Sequence, residues 1–292
     1  MQPVFRTPLA TAAVAAALAV TVAFAQAPPA APPAAPAAAA PATPLRLTGD
    51  TCQALPKHAA LKAALVAATQ AETSGLNNHM WATIVNRDGV VCAVAFSGPD
   101  RGAQWPGSRV ISAQKAYTAN AFSLDKTSAA NGSGQAKGLA LSTANLYSAV
   151  QPGGSLYGLQ HSNPVNTGVV YDPTAAQFGG PGDPLVSKKA GGINVFGGGL
   201  ALYAEGSRIV GAVGVSGDTS CADHSIAWRV RHELNLDMMA GVGGVSGDPT
   251  RPDNIVFDIT PNLAGGTGVS TGGFGHPRCL NTGDPSALPV VR

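Results

Sequence analysis

The chain has 292 residues, of which 45% are hydrophobic, only 12% are charged and 36 are glycine, and its formal net charge is +2. No basic cluster stands out, so the composition excludes nucleic acid as a partner. The low charge and the abundant glycine indicate a compact, loop-rich protein, and no apolar run after the N-terminal segment is long enough to span a membrane.

The first 44 residues are predicted to lie outside the folded domain. Residues 1–25 have the form of a secretory signal peptide, with an apolar run from Leu9 to Phe24 and the cleavage pattern Ala23-Phe24-Ala25. A retained membrane anchor is the alternative, but the run is short for a span. Residues 26–44 are almost only Ala and Pro and predict an extended, disordered linker. A single domain is therefore expected over residues 45–292, in the periplasm or outside the cell.

The first part of this domain predicts two helices around a hairpin. An Ala-rich helix is expected over 57–74, and strands are expected at Trp81–Asn86 and Val90–Phe96, joined by the hairpin turn signal Asp88-Gly89. A second helix is predicted over 109–122, with Ser108 as its N-cap.

Residues 124–196 are interpreted as a long insertion. A helix is possible at 138–149, and the rest is rich in Gly, Pro and Asn. A loop of this length is usually functional. Its aromatic rings and His161 could line a ligand or could simply pack the loop against the domain, and the sequence leaves both interpretations open.

A second hairpin and a helix follow the insertion. Strands are predicted at Leu200–Ala204 and Ile209–Val215, and neither face of the second strand is polar, which indicates a sheet covered on both sides. Its glycines would let a backbone or a flat ligand approach closely. A helix is expected to begin at Ser220 as N-cap, with Asp223 at its N3 position. Residues 237–292 form a C-terminal extension with a strand-like segment at 254–259.

The four cysteines predict two disulfides in an exported protein. Three pairings are possible, and the sequence does not choose between them. Cys52–Cys279 together with Cys92–Cys221 is the favoured pairing, because Cys52 and Cys279 lie near the two ends of the folded region. Cys92 lies within a strand and could instead be a buried free thiol.

Catalytic motifs are weak in this chain. Ser216 sits in Gly-Val-Ser-Gly-Asp, where a nucleophile elbow would need Gly in place of Asp218, and no HExxH motif is present. Among six histidines, His224 is the strongest candidate ligand, because it lies in the first turn of a helix beside a glycine-rich strand end. That helix N-terminus would favour a carboxylate or propionate. The alternative is that His224 only forms hydrogen bonds with the loop at 217–220.

Three motifs resemble the GlcG/HbpS-like haem-degrading family. They are A-x-K-A-x-T-A at 113–119, G-G-x-x-L at 198–202 and G-A-V-G-V-S-G-x-x-x-x-x-D at 211–223. The resemblance implies a profilin-like α/β sandwich, with a central antiparallel sheet and helices on both faces, as well as haem or tetrapyrrole binding and a homo-oligomer. The residues that fall on family motif positions are Lys115, Thr118, Ser216, Gly217 and Asp223.

The resemblance and the residues together favour an exported haem-binding protein, acting in haem storage, sensing or degradation. The expected site combines His224 as the iron contact with Ser216 and Gly217, and Arg109 or Lys115 would pair with the propionates. One alternative is a small-molecule enzyme on the same scaffold, with His224 and Asp223 as acid and base. The other is a structural module without a ligand.

Overall fold

A computed structural model of the chain describes residues 52–126, 137–266 and 268–292. The signal peptide and the linker predicted for residues 1–25 and 26–44 lie outside the described residues. The described residues belong to one compact unit.

The central element is a four-stranded antiparallel sheet made of two hairpins. The first hairpin joins β1 (Trp81–Asn86) and β2 (Val91–Phe96), and the second joins β3 (Gly199–Ala204) and β4 (Arg208–Ser216). Strand order is β2-β1-β4-β3, so β1 and β4 pair in the middle. All residues of β4 after Arg208 are buried, which confirms the prediction of a sheet covered on both sides.

Helices lie on both faces of the sheet. On one face, α1 (His58–Ala71) and α4 (Ser220–Glu233) pack against each other and share one core with the sheet. On the other face, α2 (Ser108–Phe122) crosses β4 and β1 and forms a second core. This arrangement confirms the predicted fold class of an antiparallel sheet between helical layers. Within the described ranges, none of the helices has the length and apolarity that crossing a bilayer would require.

The insertion and the C-terminal extension contain little regular structure. The helix that the sequence makes possible at 138–149 is replaced by two short 3-10 helices at Thr143–Leu146 and Ser148–Val150. The short α3 (Thr167–Val170) follows. The predicted strand at 254–259 is wrong except at its end, because only β5 (Ile259–Thr260) pairs, with β6 (Val269–Ser270). The last residues return to the α1–α4 core, where Leu288 is buried and Trp228 donates a hydrogen bond to the Pro289 carbonyl.

Both predicted helix caps are displaced by one residue. Ser108 is the first residue of α2, and the N-cap position belongs to Gly107. Thr219, rather than Ser220, caps α4, by accepting a hydrogen bond from the Ala222 amide. Each serine hydroxyl has another hydrogen-bond partner. The hydroxyl of Ser108 accepts a hydrogen bond from Ser216, and the hydroxyl of Ser220 is hydrogen-bonded to His276 Nε2.

Two disulfides are present, but the favoured pairing was wrong. The bonds join Cys52 to Cys92 and Cys221 to Cys279, and the described residues contain no free cysteine. Cys92 faces the α1 side of β2, where the segment before α1 brings Cys52. Cys221 lies in the first turn of α4, where the C-terminal segment brings Cys279.

This pairing makes a prediction for peptide mapping. Digestion without reduction should release one linked pair containing Cys52 and Cys92 and another containing Cys221 and Cys279. In the chain-entropy relation each bond closes a loop large enough to contribute about 4 kcal/mol. A Cys52–Cys279 peptide in the native protein would contradict the structure.

Candidate functional site

The two charged residues of the family motifs form a buried ion pair. The Lys115 ammonium on α2 donates to Asp223 Oδ2 at 2.6 Å and to the Val215 carbonyl at 3.1 Å. The other oxygen of Asp223 accepts hydrogen bonds from the amides of Gly217 and Asp218. The carboxylate therefore ties the end of β4 and the start of α4 to α2.

Burial dominates the electrostatics of this pair. The side chains of Lys115 and Asp223 are only 1% and 3% exposed. Burial raises the pKa of Asp223 to about 6, although Lys115 and the Asp218 amide favour the ionised carboxylate. Burial likewise lowers the pKa of Lys115, against the attraction of Asp223. Because the ammonium is buried and donates to Asp223 and to the Val215 carbonyl, this lysine is placed as a structural partner rather than as a propionate contact.

The glycine-rich face of the strands is filled by a helix. A Cβ atom added to Gly214 would collide with the Ser112 carbonyl of α2, and one added to Gly199 would lie 2.5 Å from the Lys115 carbonyl. The close approach predicted for the glycines of β4 is thus made, at Gly214, by the backbone of α2. Ser216 belongs to the same interface, since its hydroxyl donates to Ser108 at 3.3 Å.

Thr118 and Arg109, also on α2, hold the insertion. The Thr118 hydroxyl accepts from the Asn194 amide at 3.0 Å. The Arg109 guanidinium donates to both carboxylate oxygens of Asp183 and stacks on the Phe178 ring at 3.7 Å. Both residues of the Arg109–Asp183 pair are buried. Arg109 is therefore already paired and does not offer a free cation to a ligand.

His224 lies inside the protein and not at its surface. Its side chain is 0% exposed, and its Nε2 lies 3.2 Å from both Asn254 Oδ1 and the Ile255 amide of the C-terminal extension. Burial lowers the pKa of His224 to about 4, so the ring is neutral at pH 7. Its partners are these extension residues instead of the loop at 217–220. The His224→Ala variant should lower the free energy of unfolding by about 2–4 kcal/mol, because it removes a core side chain.

The site residues predicted from the sequence therefore form one connected framework around α2. Their side chains are engaged with each other or with the insertion and the extension. As arranged, they do not fit a haem. The Lys115 ammonium and the Arg109 guanidinium already have protein partners, and the His224 ring, whose Nδ1 has no hydrogen-bond partner, is completely enclosed by protein.

An imidazole and two aromatic rings meet instead at a groove beside α1, which we call the α1 groove. It has a volume of about 560 Å³ and is lined by His58, Lys62, Phe96 and the segment 178–182 of the insertion. His58 and Lys62 are four residues apart on α1 and so lie on one side of the helix. Phe96 and Phe178 are partly exposed, and the Lys62 ammonium lies 5.1 Å from the centre of the Phe96 ring.

The groove fixes the orientation of its histidine. His58 Nε2 lies 2.9 Å from the Gly179 carbonyl oxygen. A carbonyl can only accept, so Nε2 carries the proton and Nδ1 has the free lone pair of the neutral ring. Metal-binding histidines typically hold their second nitrogen in this way. Gly179 has φ of +73° and lies against Phe96 and Trp81, where a Cβ atom would collide with the Phe96 ring. Only glycine fits this contact.

The fold and these motifs define an α/β protein with an antiparallel sheet between helices and with an insertion anchored to α2. The sequence matches the family described as "Haem degrading protein HbpS-like" over residues 55–231, which is more than half of the chain. The protein belongs to this family.

Several solved structures are similar to this chain. A PduOC:Heme complex is 24% identical, covering 61% of this chain and 91% of that one, with a TM-score of 0.39. Protein ORFY from Klebsiella pneumoniae is 25% identical, covering 61% and 87%, with a TM-score of 0.37. A double mutant of HbpS from Streptomyces reticuli is 18% identical, covering 69% and 97%, with a TM-score of 0.39. A search of curated proteins found no match.

The α1 groove was missed by the sequence analysis. One local signal existed, namely His58 and Lys62 at helical spacing of four. The other walls come from the end of β2 and from the insertion, and nothing local in the sequence brings Phe178 to Phe96.

Proposed function

We propose that this protein is exported and binds haem in the α1 groove. Membership of the HbpS-like haem-degrading family supports the ligand class. The proposed position of the haem rests on the hydrogen bond from His58 Nε2–H to the Gly179 carbonyl. This bond leaves Nδ1 as the lone-pair nitrogen in an aromatic groove.

The residues of the groove fit the chemistry of haem. Haem is a flat apolar ring with two carboxylates, and it is held in proteins by an imidazole, apolar contacts and cations. Here Phe96 and Phe178 offer apolar faces, Lys62 offers an ammonium for a propionate, and His58 offers the imidazole. When bound, the iron would supply redox chemistry. The groove's own residues bind and orient the ring.

Haem titration of the mature chain tests this proposal. Added haem should give a saturable Soret change with one haem per chain, because the proposal places a single haem in the α1 groove. Storage, sensing and degradation differ in turnover, so the loaded protein is then treated with a reductant and oxygen. Loss of the Soret band with release of iron would assign degradation, and a stable spectrum would favour storage or sensing. A wild-type protein without a saturable Soret change would overturn haem binding and favour a ligand-free module.

Export makes a separate prediction at the N-terminus. Cleavage after Ala25 should leave Gln26 as the first residue of protein recovered from the periplasm or medium. Only Arg6 is charged in the removed segment, so the formal net charge of +2 falls to +1. Intact mass measures this directly, and an intact Met1 on exported material would contradict it.

Gel filtration of the same sample tests the homo-oligomer that the family resemblance implies.

A further inference from the structure

The disulfide at the start of α4 lies against an imidazole. The sulfur atoms of Cys221 and Cys279 and a ring nitrogen of His276 all lie within 4.8 Å of one another. His276 and Cys279 are brought by the C-terminal extension, and Cys221 belongs to α4. Two sulfurs and one imidazole are a donor set that suits zinc and other thiophilic metal ions.

We propose that reduction of the Cys221–Cys279 disulfide opens a Cys2His binding site for a thiophilic divalent metal ion such as Zn²⁺. The closed disulfide form does not bind the ion, because its sulfurs are bonded to each other. This site is separate from the proposed haem groove, so each of the two proposals can be tested independently of the other.

His276 is already oriented as a metal ligand. Its Nδ1 lies 2.6 Å from the Pro277 carbonyl, which can only accept, so Nδ1 carries the proton. Its Nε2 therefore has the lone pair, and it accepts a hydrogen bond from the Ser220 hydroxyl at 2.7 Å. A metal ion would take the place of that hydroxyl proton at Nε2, while the carbonyl continues to hold the ring.

The helix favours a thiolate at Cys279. The Cys221 amide, in the first turn of the 14-residue α4, donates to Cys279 Sγ at 3.1 Å. A thiol at a helix N-terminus ionises more readily, because the amides and the helix dipole stabilise the negative charge. A thiolate is the form that binds metal ions.

The reaction balances with a dithiol reductant. The dithiol gives two electrons and two protons to the disulfide, which becomes two thiols, and the dithiol becomes its own disulfide. The metal ion then displaces the two thiol protons, which go to solvent. Three protein ligands leave a fourth position, which water can occupy.

Cobalt is a suitable probe, since Co²⁺ substitutes for Zn²⁺ and gives visible bands when bound by thiolates in a tetrahedral site. The full mature chain is reduced with a phosphine, which does not bind the metal strongly, and is titrated with Co²⁺. We expect one Co²⁺ per chain with thiolate charge-transfer bands, displaced by Zn²⁺. The oxidised wild-type protein is the folded control with an identical sequence, and it should give no such bands.

Substitutions of the histidine and cysteines, together with protection of cysteines from alkylation, test where the metal ion binds. The His276→Ala variant should weaken Co²⁺ binding at least roughly tenfold, since even outer partners of metal ligands have effects of this size. The double variant C52S/C92S should keep the bands, because that disulfide has no third donor among the described residues within the distance that defines the cluster. In the wild type, Zn²⁺ should protect Cys221 and Cys279 from alkylation, and this measurement does not depend on the folding of any variant. Absent thiolate bands, equal binding by His276→Ala, or protection of Cys52 and Cys92 instead would each overturn the proposal.

Discussion

Replacing Asp223 by alanine should lower the free energy of unfolding by about 3–5 kcal/mol, because the substitution leaves the buried Lys115 ammonium without its counter-charge. The amides of Gly217 and Asp218 lose their acceptor at the same time. Urea unfolding of the wild type and the variant measures the difference. The effect is a structural one, and it should appear with and without haem.

Two further variants separate this effect from the loss of any carboxylate. Asp248 pairs with Arg251 at the surface, where its side chain is 39% exposed, and Asp248→Ala should change stability by no more than about 1 kcal/mol. The double variant Lys115→Met with Asp223→Leu removes both charges and should recover much of the loss, since apolar pairs can replace buried ion pairs. If Asp223→Ala is no more destabilising than Asp248→Ala, the ion pair does not hold α4 and β4 to α2.

Replacing Asp183 by alanine should have two effects. It removes the carboxylate that pairs with Arg109 and that accepts hydrogen bonds from the amides of Gly179 and Leu185. Leaving the buried guanidinium unpaired should cost about 3–5 kcal/mol. Since Asp183 also fixes the segment 178–182, haem affinity should fall together with stability. Chemical unfolding measures the first effect, and haem titration at a temperature where the variant is folded measures the second.

Asp172 provides the matched control within the same insertion. It lies at the surface and accepts hydrogen bonds only at its own turn, from the Thr174 amide. Asp172→Ala should change stability by roughly 0.5 kcal/mol or less and leave haem affinity unchanged. Equal haem affinity for Asp183→Ala and wild type would show that the insertion does not form a wall of the site.

The elements with strong local signals were predicted well. β1 has the predicted bounds, and β2 begins one residue later than expected, since the Asp88-Gly89 turn and the apolar runs define the hairpin locally. α2 and α4 were placed to within a residue at their starts, but their caps were wrong. A serine that could cap a helix can also meet a distant partner, and the sequence does not show which contact prevails.

The contacts that define the buried framework around α2 join residues distant in sequence, and this is why they were not predicted. Lys115 and Asp223 meet across 108 residues, and Arg109 and Asp183 meet across 74. The family motifs pointed to Lys115, Thr118 and Asp223 as positions of a ligand site, and did not indicate their contacts in a buried framework. A charged side chain in a motif can bind a ligand or can support the fold. Only burial and partners distinguish the two roles.

The cysteine pairing shows the same limit. Proximity to the two ends of the folded region favoured Cys52–Cys279, yet Cys52 lies next to β2 and Cys279 next to α4. These positions depend on how α1 and α4 pack, which the sequence does not show.

The most direct test of the haem site compares three histidine variants in a haem titration followed by Soret absorbance. His58→Ala should weaken haem binding at least roughly tenfold and shift the Soret band, because it removes the proposed iron contact. His161→Ala changes an exposed residue of the insertion, and His224→Gln changes a buried residue outside the groove, so both should keep the wild-type spectrum and affinity. Each variant is first shown to be folded by circular dichroism. An unchanged spectrum and affinity for His58→Ala, or their loss in His224→Gln or His161→Ala alone, would contradict haem binding in the α1 groove.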